Sequence, residues 1–329
     1  MRIGSCEIVF PVMLAPMAGV SDLAFRLLCR EQGAGLVCTE MVSAKALYYA
    51  RGMKNKATDE LMESCPQERP LMLQLFGSDP ELMGEMAAQV EDGPWDIIDV
   101  NMGCPVPKVV RNGDGSALLK DIPRIERIVS AMTKAVRKPV TVKIRKGFEL
   151  GDDCACEAAR AAEAGGAAAV TVHGRTREQY YGGRADWECI RRVKEAVRIP
   201  VFGNGDVTSG ALAARMFDET GVDGIAVGRG AKGNPWIFRE IRSYLKNGTV
   251  PGRPSPQEVG EMIVRHLKGE METKPEPVAV REMRKHVAWY TAGLPGSAAV
   301  RRLVNEVETA AALEELIRER VIQAGRTAL

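Results

Sequence analysis

Short aliphatic runs alternate with longer amphipathic stretches along the first two thirds of the chain. Each run is rich in branched side chains, and the stretch after it has the apolar period of a helix, which indicates a parallel sheet covered by helices. The predicted strands are residues 12–16, 36–41, 71–76, 97–102, 140–145, 169–173, 201–204 and 225–228.

Eight strand and helix pairs over roughly 230 residues come close to the size of a (β/α)₈ barrel, about 250 residues. The alternative is a doubly wound open sheet, but the G-x-G-x-x-G phosphate fingerprint expected after its first strand is missing. The sequence therefore predicts an α/β fold, with a (β/α)₈ TIM barrel over residues 1–244.

The pattern changes after the predicted barrel. Residues 245–256 are rich in Pro, Gly and polar side chains and indicate a linker, and only helical patterns follow. Ser255 and Glu258 make a capping box, with Pro256 at the first helical position. We expect residues 257–329 to form a small all-helical domain.

Strand alternation places polar side chains on the inner face of the barrel. The apolar face of each strand must contact the covering helices, so the other face points to the axis. Near the C-terminal strand ends, where barrel enzymes place their active sites, this inner face carries Gln74, Asn101, Lys143, Arg145 and His173. One such residue alone is more typical of a satisfied polar group in the core. Five together, two of them cationic, predict a bound anionic ligand, because a buried cation is costly without one.

Glycine-rich loops follow the seventh and eighth strands. Their sequences are Gly203-Asn204-Gly205-Asp206 and Gly228-Arg229-Gly230. Loops at these positions are the usual phosphate site of the fold, because glycine lets backbone N–H groups approach a ligand and a helix N-terminus adds its dipole. Together with Arg229, they predict a phosphate on the ligand.

Cys104 lies just past the fourth strand, in the segment Asn101-Met102-Gly103-Cys104-Pro105. Most cysteines in such surroundings are small buried hydrophobes. Here the loop lies above the polar cluster and continues into residues 108–116, which we interpret as a lid. An unperturbed thiol has a pKa of about 8.5, so Cys104 is a candidate proton donor.

Composition limits the other possibilities. The 329 residues carry a net charge of only +2, so a nucleic-acid surface has to be local. Eight scattered cysteines without a C-x-x-C pair indicate a reducing cytoplasmic setting, and the pair Cys154 and Cys156 lacks further ligands, so we expect no metal. No run of eighteen uncharged apolar residues occurs, and we expect no membrane span. The apolar run from Ile8 to Val20 is interrupted by prolines and indicates a strand, not a signal peptide.

The chain closely resembles the tRNA-dihydrouridine synthases, in particular their bacterial B-type branch. The resemblance covers nearly the whole chain. It rests on Leu14-Ala-Pro-Met-Ala-Gly-Val20, Glu40-Met-Val-Ser43, the Asn101 to Pro105 segment, Gly115-Ser-Ala-Leu-Leu119, Val142-Lys-Ile-Arg145, His173-Gly-Arg-Thr176, Asn204-Gly-Asp206, Gly228-Arg229, Pro235-Trp-Ile-Phe238 and Arg284-Lys-His-Val-Ala-Trp-Tyr290.

The resemblance implies a flavin enzyme that uses FMN, with NADPH as the reductant, to reduce the C5–C6 bond of uridines in tRNA, and we expect a monomer. It implies FMN contacts from Pro16, Met17 and Ala18 and ring contacts from Gln74 and Lys143. It implies that Asn204, Gly205, Asp206, Gly228 and Arg229 hold the phosphate. Cys104 matches the proton donor. Asn101, Arg145 and His173 match positions along the flavin and uracil pocket, with Asn101 and Arg145 toward the substrate and His173 toward the cofactor.

A basic face in the C-terminal region is a candidate tRNA surface. Arg281, Arg284 and Lys285 share one side of the second predicted helix, and Arg301 and Arg302 extend the surface. The alternative is a solvated face of an ordinary helical bundle. Two other functions stay open: a flavin barrel acting on a free small molecule, as dihydroorotate dehydrogenases do, and a non-catalytic RNA-binding module.

Overall fold

Eight parallel strands close into a barrel in the computed structural model, which describes residues 1–51 and 55–324. A short antiparallel pair, β1 (Arg2–Ile3) and β2 (Cys6–Glu7), precedes them. The barrel strands are β3 (Val12–Leu14), β4 (Leu36–Ser43), β5 (Leu71–Phe76), β6 (Ile97–Met102), β7 (Val140–Arg145), β8 (Ala169–His173), β9 (Val201–Asn204) and β10 (Gly224–Val227). Because β10 pairs with both β9 and β3, the sheet has no free edge. The predicted TIM barrel and its eight strands are confirmed.

Helices cover the outside of the barrel. They are α1 (Leu23–Glu31), α2 (Ala44–Tyr49), α3 (Lys56–Leu61), α4 (Pro80–Val90), α5 (Pro107–Val110), α6 (Ile122–Ala135), α7 (Ala155–Ala164), α8 (Trp187–Ala196), α9 (Gly210–Thr220) and α10 (Ile237–Asn247). Several start where a short polar side chain accepts a first-turn N–H, as Asp22, Asp79 and Ser209 do. The loop sequences therefore set where these helices begin.

The strands divide apolar side chains between two layers. Residues such as Leu73, Val100 and Val142 are fully buried against the helices. The alternate residues fill the lower barrel with a separate apolar cluster, which includes Met13, Leu36, Met72, Ile97 and Phe202. The β1–β2 hairpin, which the sequence did not predict, adds Ile3 and Ile8 to this cluster and closes the bottom. Only the upper end of the barrel is lined by polar groups.

Four helices and a final turn follow the barrel. They are α11 (Pro256–Thr273), α12 (Glu276–Tyr290), α13 (Ser297–Leu303), α14 (Ala310–Ile317) and a π-helical turn at Arg318–Gln323. The capping box of Ser255 and Glu258 is confirmed. These helices share a core that also takes in Leu28 and Trp236 from the barrel side. None of the helices within residues 1–51 and 55–324 combines the length and the apolar character needed to cross a membrane.

The predicted linker starts too early. Helix α10 continues past residue 244 to Asn247 and ends at Gly248, whose φ of 70° forms the left-handed cap. Helix α11 already includes Pro256. The connection is therefore residues 248–255, because a glycine that can take positive φ decides the helix end, not the last apolar residue of the stripe. The division of the chain into two domains stays a prediction, and residues 325–329 lie outside the described part.

Candidate active site

A cavity of about 550 Å³ opens at the C-terminal ends of the barrel strands. All the barrel residues that the sequence singles out line it: Pro16, Met17, Ala18, Gln74, Asn101, Cys104, Lys143, Arg145, His173, Asn204, Gly205, Asp206, Gly228 and Arg229. The structure thus brings together side chains from five strands, β5 to β9, and residues from the loops after β3, β6, β9 and β10. Arg281, Arg284 and Lys285 do not line this cavity.

A chain of hydrogen bonds crosses the cavity floor between neighbouring strands. Thr141 Oγ1 (2.6 Å) and Gln74 Nε2 (2.7 Å) both donate to the Asp99 carboxylate, and Asn101 Nδ2 donates to Gln74 Oε1 (2.9 Å). Burial raises the pKa of Asp99. Asn101 Oδ1 then accepts the backbone N–H of Cys104 (2.8 Å), so the position of the Cys104 loop depends on this chain.

Cys104 is held at the cavity wall as a protonated thiol. Ser116 donates to its carbonyl oxygen from Oγ (2.9 Å) and from its backbone N–H (3.1 Å). Burial raises the pKa of the thiol, although the cations Arg145 and Lys143 partly oppose this. The thiol therefore keeps its proton at neutral pH. Cys104 lines the cavity, so a molecule bound there could accept that proton.

The predicted lid packs against Cys104. Residues 108–110 belong to helix α5 and residues 115–116 start a 3₁₀ turn at Gly115–Lys120, and none of residues 108–116 lines the cavity. At Gly115, with φ of 60°, a Cβ would stand 3.0 Å from the Cys104 carbonyl oxygen. The segment therefore supports Cys104 in this structure, and its interpretation as a lid stays a prediction.

Lys143 and Arg145 have different roles although both face inward. Lys143 Nζ donates to Asn204 Oδ1 (3.0 Å), and burial together with the charge of Arg145 lowers its pKa to about 8. Arg145 donates to the carbonyl oxygens of Gly103 (2.8 Å), Thr176 (2.8 Å) and Tyr180 (3.0 Å). Arg145 thus ties two loops together, while Lys143 lines the cavity and contacts the side chain of Asn204.

His173 has a buried ring nitrogen, Nδ1, that finds no partner in the described chain. Burial and the nearby Lys143 keep the pKa of His173 well below its ordinary value, so the ring is neutral. A buried ring nitrogen without a partner is costly. His173 lines the cavity, but Nδ1 itself is shielded from it.

The loops after β9 and β10 approach each other closely. Gly205 has φ of 130°, and a Cβ there would lie 2.5 Å from Ala185 Cβ; at Gly230 it would lie 2.3 Å from the Val207 carbonyl oxygen. The Asp206 carboxylate accepts from Arg175 Nη2 (2.9 Å), the Ala185 N–H (2.7 Å) and Arg229 Nη2 (3.3 Å). The Asp206 carboxylate therefore helps to position Arg229, and its assignment to a phosphate site stays a prediction.

Comparison with known proteins decides the family of this chain. The profile of the family described as Dihydrouridine synthase (Dus) matches residues 13–325. The chain belongs to the dihydrouridine synthase family. The resemblance found in the sequence is confirmed.

Two relatives that this chain resembles match it over most of their own length. The "Probable tRNA-dihydrouridine synthase" of Rickettsia conorii is 42% identical over 322 residues, 97% of this chain and 95% of the relative. The "tRNA-dihydrouridine synthase B" of Pseudomonas aeruginosa is 41% identical over 309 residues, 93% of this chain and 91% of the relative.

Among solved structures, histamine dehydrogenase from Rhizobium sp. 4-9 aligns with a TM-score of 0.57 at 13% identity. The alignment covers 98% of this chain and 64% of that one. At this identity the likeness shows the fold alone.

Reasoning from the sequence missed several residues that line the mouth of the cavity. Tyr180 and Tyr181 line it from the loop after β8, and Lys232 lines it from the loop after β10. The Arg229 guanidinium lies 4.8 Å from the centre of the Tyr181 ring. The signal was present in the sequence as two adjacent tyrosines before Gly182 and Gly183, because exposed aromatic residues in a glycine-rich loop are typical of a binding surface.

The predicted basic face is not one continuous surface. Arg281 is exposed, and Lys285 Nζ lies 3.8 Å from where a Cβ on Gly19 would stand, beside the barrel mouth. Arg284 is half-buried, and its Nη2 donates to the Val307 carbonyl oxygen (2.7 Å). Arg284 therefore ties α12 to the segment before α14, because that segment folds over it. Its proposed contact with tRNA stays a prediction.

Proposed function

We propose that this protein uses FMN to reduce the C5–C6 double bond of uridines in tRNA, with NADPH as the source of electrons. The observation that carries the proposal is the combination, in one cavity, of a thiol that keeps its proton, a half-buried cation at Lys143 and a neutral His173. Membership of the dihydrouridine synthase family and the names of its relatives support the substrate.

The cavity residues fit FMN. The close backbone at Gly205 and Gly230, with Arg229 positioned by Asp206, suits the phosphate. Lys143 and Gln74 would hold the polar edge of the flavin ring, and the neutral His173 would line its pocket. Reduced flavin, when bound, supplies a hydride for C6 of the uracil.

Cys104 would supply the proton for C5. Its S–H bond breaks, the proton goes to the carbon, and a thiolate remains that solvent reprotonates. Arg145 and Lys143 stabilise the thiolate, since both cations favour the charged sulfur. Asn101 holds the Cys104 loop through the two backbone N–H groups of Gly103 (3.1 Å) and Cys104. The uridine must leave its stack to enter the cavity.

The flavin content of the purified protein tests the proposal. We expect a yellow protein that releases FMN, not FAD, on denaturation, because the loops provide a single phosphate site. The measurement is the flavin absorbance spectrum of the protein before and after reconstitution with FMN, followed by chromatography of the released flavin. Colourless protein that does not take up FMN would sink the proposal.

FMN affinity is expected to fall as the pH rises above about 8, because Lys143 then loses the charge that attracts the flavin. The slope should approach a tenfold loss per pH unit, as linkage to a single proton requires. Flavin fluorescence titrations of the apoprotein between about pH 7 and pH 9.5 measure this. The Lys143→Met variant should bind more weakly and show a flat profile; a wild-type profile in that variant would contradict the assignment.

The tRNA surface is proposed to run from the barrel mouth along α12. Reversing Arg281 and Lys285 to glutamate should flatten the slope of log affinity against log salt concentration by roughly 1.5 to 2 units, as expected for two lost phosphate contacts. Filter binding of tRNA over a salt series measures the slope. The matched control reverses Arg137 and Arg198, exposed cations before β7 and β9 at the opposite end of the barrel.

The control variant should keep the wild-type slope, and all variants should retain flavin reduction by NADPH. Equal slopes for the Arg281 and Lys285 variant and for wild type would mean that this face is only solvated. That result would favour a flavin barrel acting on a free small molecule.

A further inference from the structure

The C-terminal helices bury three metal-ligand side chains where they meet the barrel. His266 and Glu270 are four residues apart on one face of α11, and His286 comes from α12. All three are completely shielded from solvent. One ligand atom from each lies within 4.8 Å of those of the other two. This arrangement joins two helices that are adjacent in sequence but antiparallel in space.

The polar atoms of this cluster lack hydrogen-bond partners among the described residues. They are His266 Nε2, Glu270 Oε1 and both ring nitrogens of His286. His266 Nε2 and Glu270 Oε1 lie 3.4 Å apart, at ion-pair distance. Leaving a buried polar group unsatisfied costs about 1–3 kcal/mol, so the two unpaired ring nitrogens of His286 beside this pair indicate an occupant.

The neighbouring groups orient the two imidazoles. Tyr290 Oη lies 3.3 Å from His266 Nδ1, which leaves Nε2 directed at Glu270. Phe25 of α1 stacks on the His266 ring with centroids 5.6 Å apart, and the two imidazole centroids are 4.4 Å apart. A hydrogen bond to the second nitrogen of a ligating histidine is typical of metal sites.

The local charge favours a cation. Lys274 Nζ donates to Asp22 (2.8 Å), to Glu282 (2.8 Å) and to Oε2 of Glu270. Three carboxylates thus share one ammonium group. Because Lys274 occupies only Oε2 of Glu270, the other oxygen remains directed at the histidines.

We propose that His266, Glu270 and His286 bind one divalent first-row transition-metal ion, with Zn²⁺ as the preferred ion, which fastens α11 to α12. Imidazole nitrogen and carboxylate oxygen are ordinary Zn²⁺ ligands at about 2.0–2.2 Å, so two ligand atoms on one ion lie at most about 4.3 Å apart. The three ligand atoms lie within 4.8 Å of one another, so small rotations of the side chains would bring them to this distance. The site differs from the metal-free expectation of the sequence, which considered only Cys154 and Cys156.

A buried water molecule is the alternative occupant of the cluster. Metal titration distinguishes a bound metal ion from water. Full-length protein without a tag is treated with a chelator, dialysed, and titrated with Co²⁺ and Zn²⁺ as the probes. We expect one tightly bound ion per chain, visible as Co²⁺ absorption bands that Zn²⁺ removes. A stabilising ion at a hundred times its dissociation constant should raise the melting temperature by on the order of 5 °C.

Two variants test the ligands. The double variant His266→Gln with His286→Gln should lose the bound Co²⁺ and the rise in melting temperature. The matched control, Cys154→Ser with Cys156→Ser, removes the alternative thiol ligands and should keep both. If the histidine variant fails to fold, X-ray absorption at the zinc edge of the wild-type protein decides, with two imidazoles expected around the ion.

Four outcomes would overturn the proposal: no stoichiometric ion in the wild type, no change in melting temperature on adding Zn²⁺, undiminished binding by the histidine variant, or a zinc spectrum dominated by sulfur. Each would leave water as the occupant of the cluster or place the metal at a cysteine.

Discussion

Replacing Cys104 with alanine is expected to slow dihydrouridine formation by about 10²–10⁴-fold, the usual contribution of a general acid. The burial that raises the pKa of this thiol keeps its proton available at neutral pH. Alanine removes the proton and little else, because Asn101 and Ser116 hold the loop through backbone atoms of residue 104. The measurement is the rate of tRNA reduction by prereduced protein in single-turnover experiments.

The control for this prediction is Cys156→Ala, which removes a half-buried thiol on α7 that does not line the cavity. That variant should reduce tRNA at the wild-type rate. Both variants should still bind FMN and oxidise NADPH, since neither reaction requires the thiol. Full activity of Cys104→Ala on tRNA would demote Cys104 to a packing residue and leave the proton donor unassigned.

Removing the carboxylate of Glu68 is expected to cost about 3–5 kcal/mol of unfolding free energy, the usual cost of breaking a buried ion pair. Arg26 and Glu68 are 2% and 0% exposed, and two of their contacts, at 2.6 and 3.2 Å, form a bidentate pair. Arg26 also donates to the carbonyl oxygens of Ser21 (2.9 Å) and Glu63 (2.6 Å), so it cannot turn to solvent. Urea denaturation of Glu68→Ala measures the loss.

A surface pair supplies the matched control. Arg215 and Glu219 form an i,i+4 pair on α9 with side chains 62% and 47% exposed, and Glu219→Ala should cost less than about 1 kcal/mol. Replacing Arg26 and Glu68 together by Met and Leu should recover much of the stability, because no charge is then left buried alone. Equal losses for Glu68→Ala and Glu219→Ala would show that the buried pair contributes nothing special.

Most of the barrel was predictable because it depends on local periodicity. Alternation along β5 to β8 correctly separated the side chains that face the covering helices from those that face the barrel axis. The capping residues correctly marked where α11 begins. The β1–β2 hairpin was missed because strands of two residues carry no detectable period. The end of α10 was misplaced because a glycine, not an apolar residue, terminates it.

The partners of the predicted site residues were not predictable. Arg145 and Lys143 are two residues apart on one face of β7. Arg145 nevertheless donates to carbonyl oxygens of two loops, whereas Lys143 donates to the Asn204 side chain in the cavity wall. The same limit applies to Arg284. Helix geometry places it beside Arg281, but its guanidinium donates to the Val307 carbonyl oxygen.

The sequence by itself determined the strand segments, the inward polar residues and the position of Cys104 just after a strand, since each follows from neighbours within a few residues. The tertiary structure alone decided which loops cover the mouth, which basic residues stay free, and that Lys274, His266 and His286 meet Asp22 and Phe25 of the barrel. These contacts join residues more than 200 positions apart. They depend on how helices pack against the barrel, and side-chain periodicity along a single element contains no information about that packing.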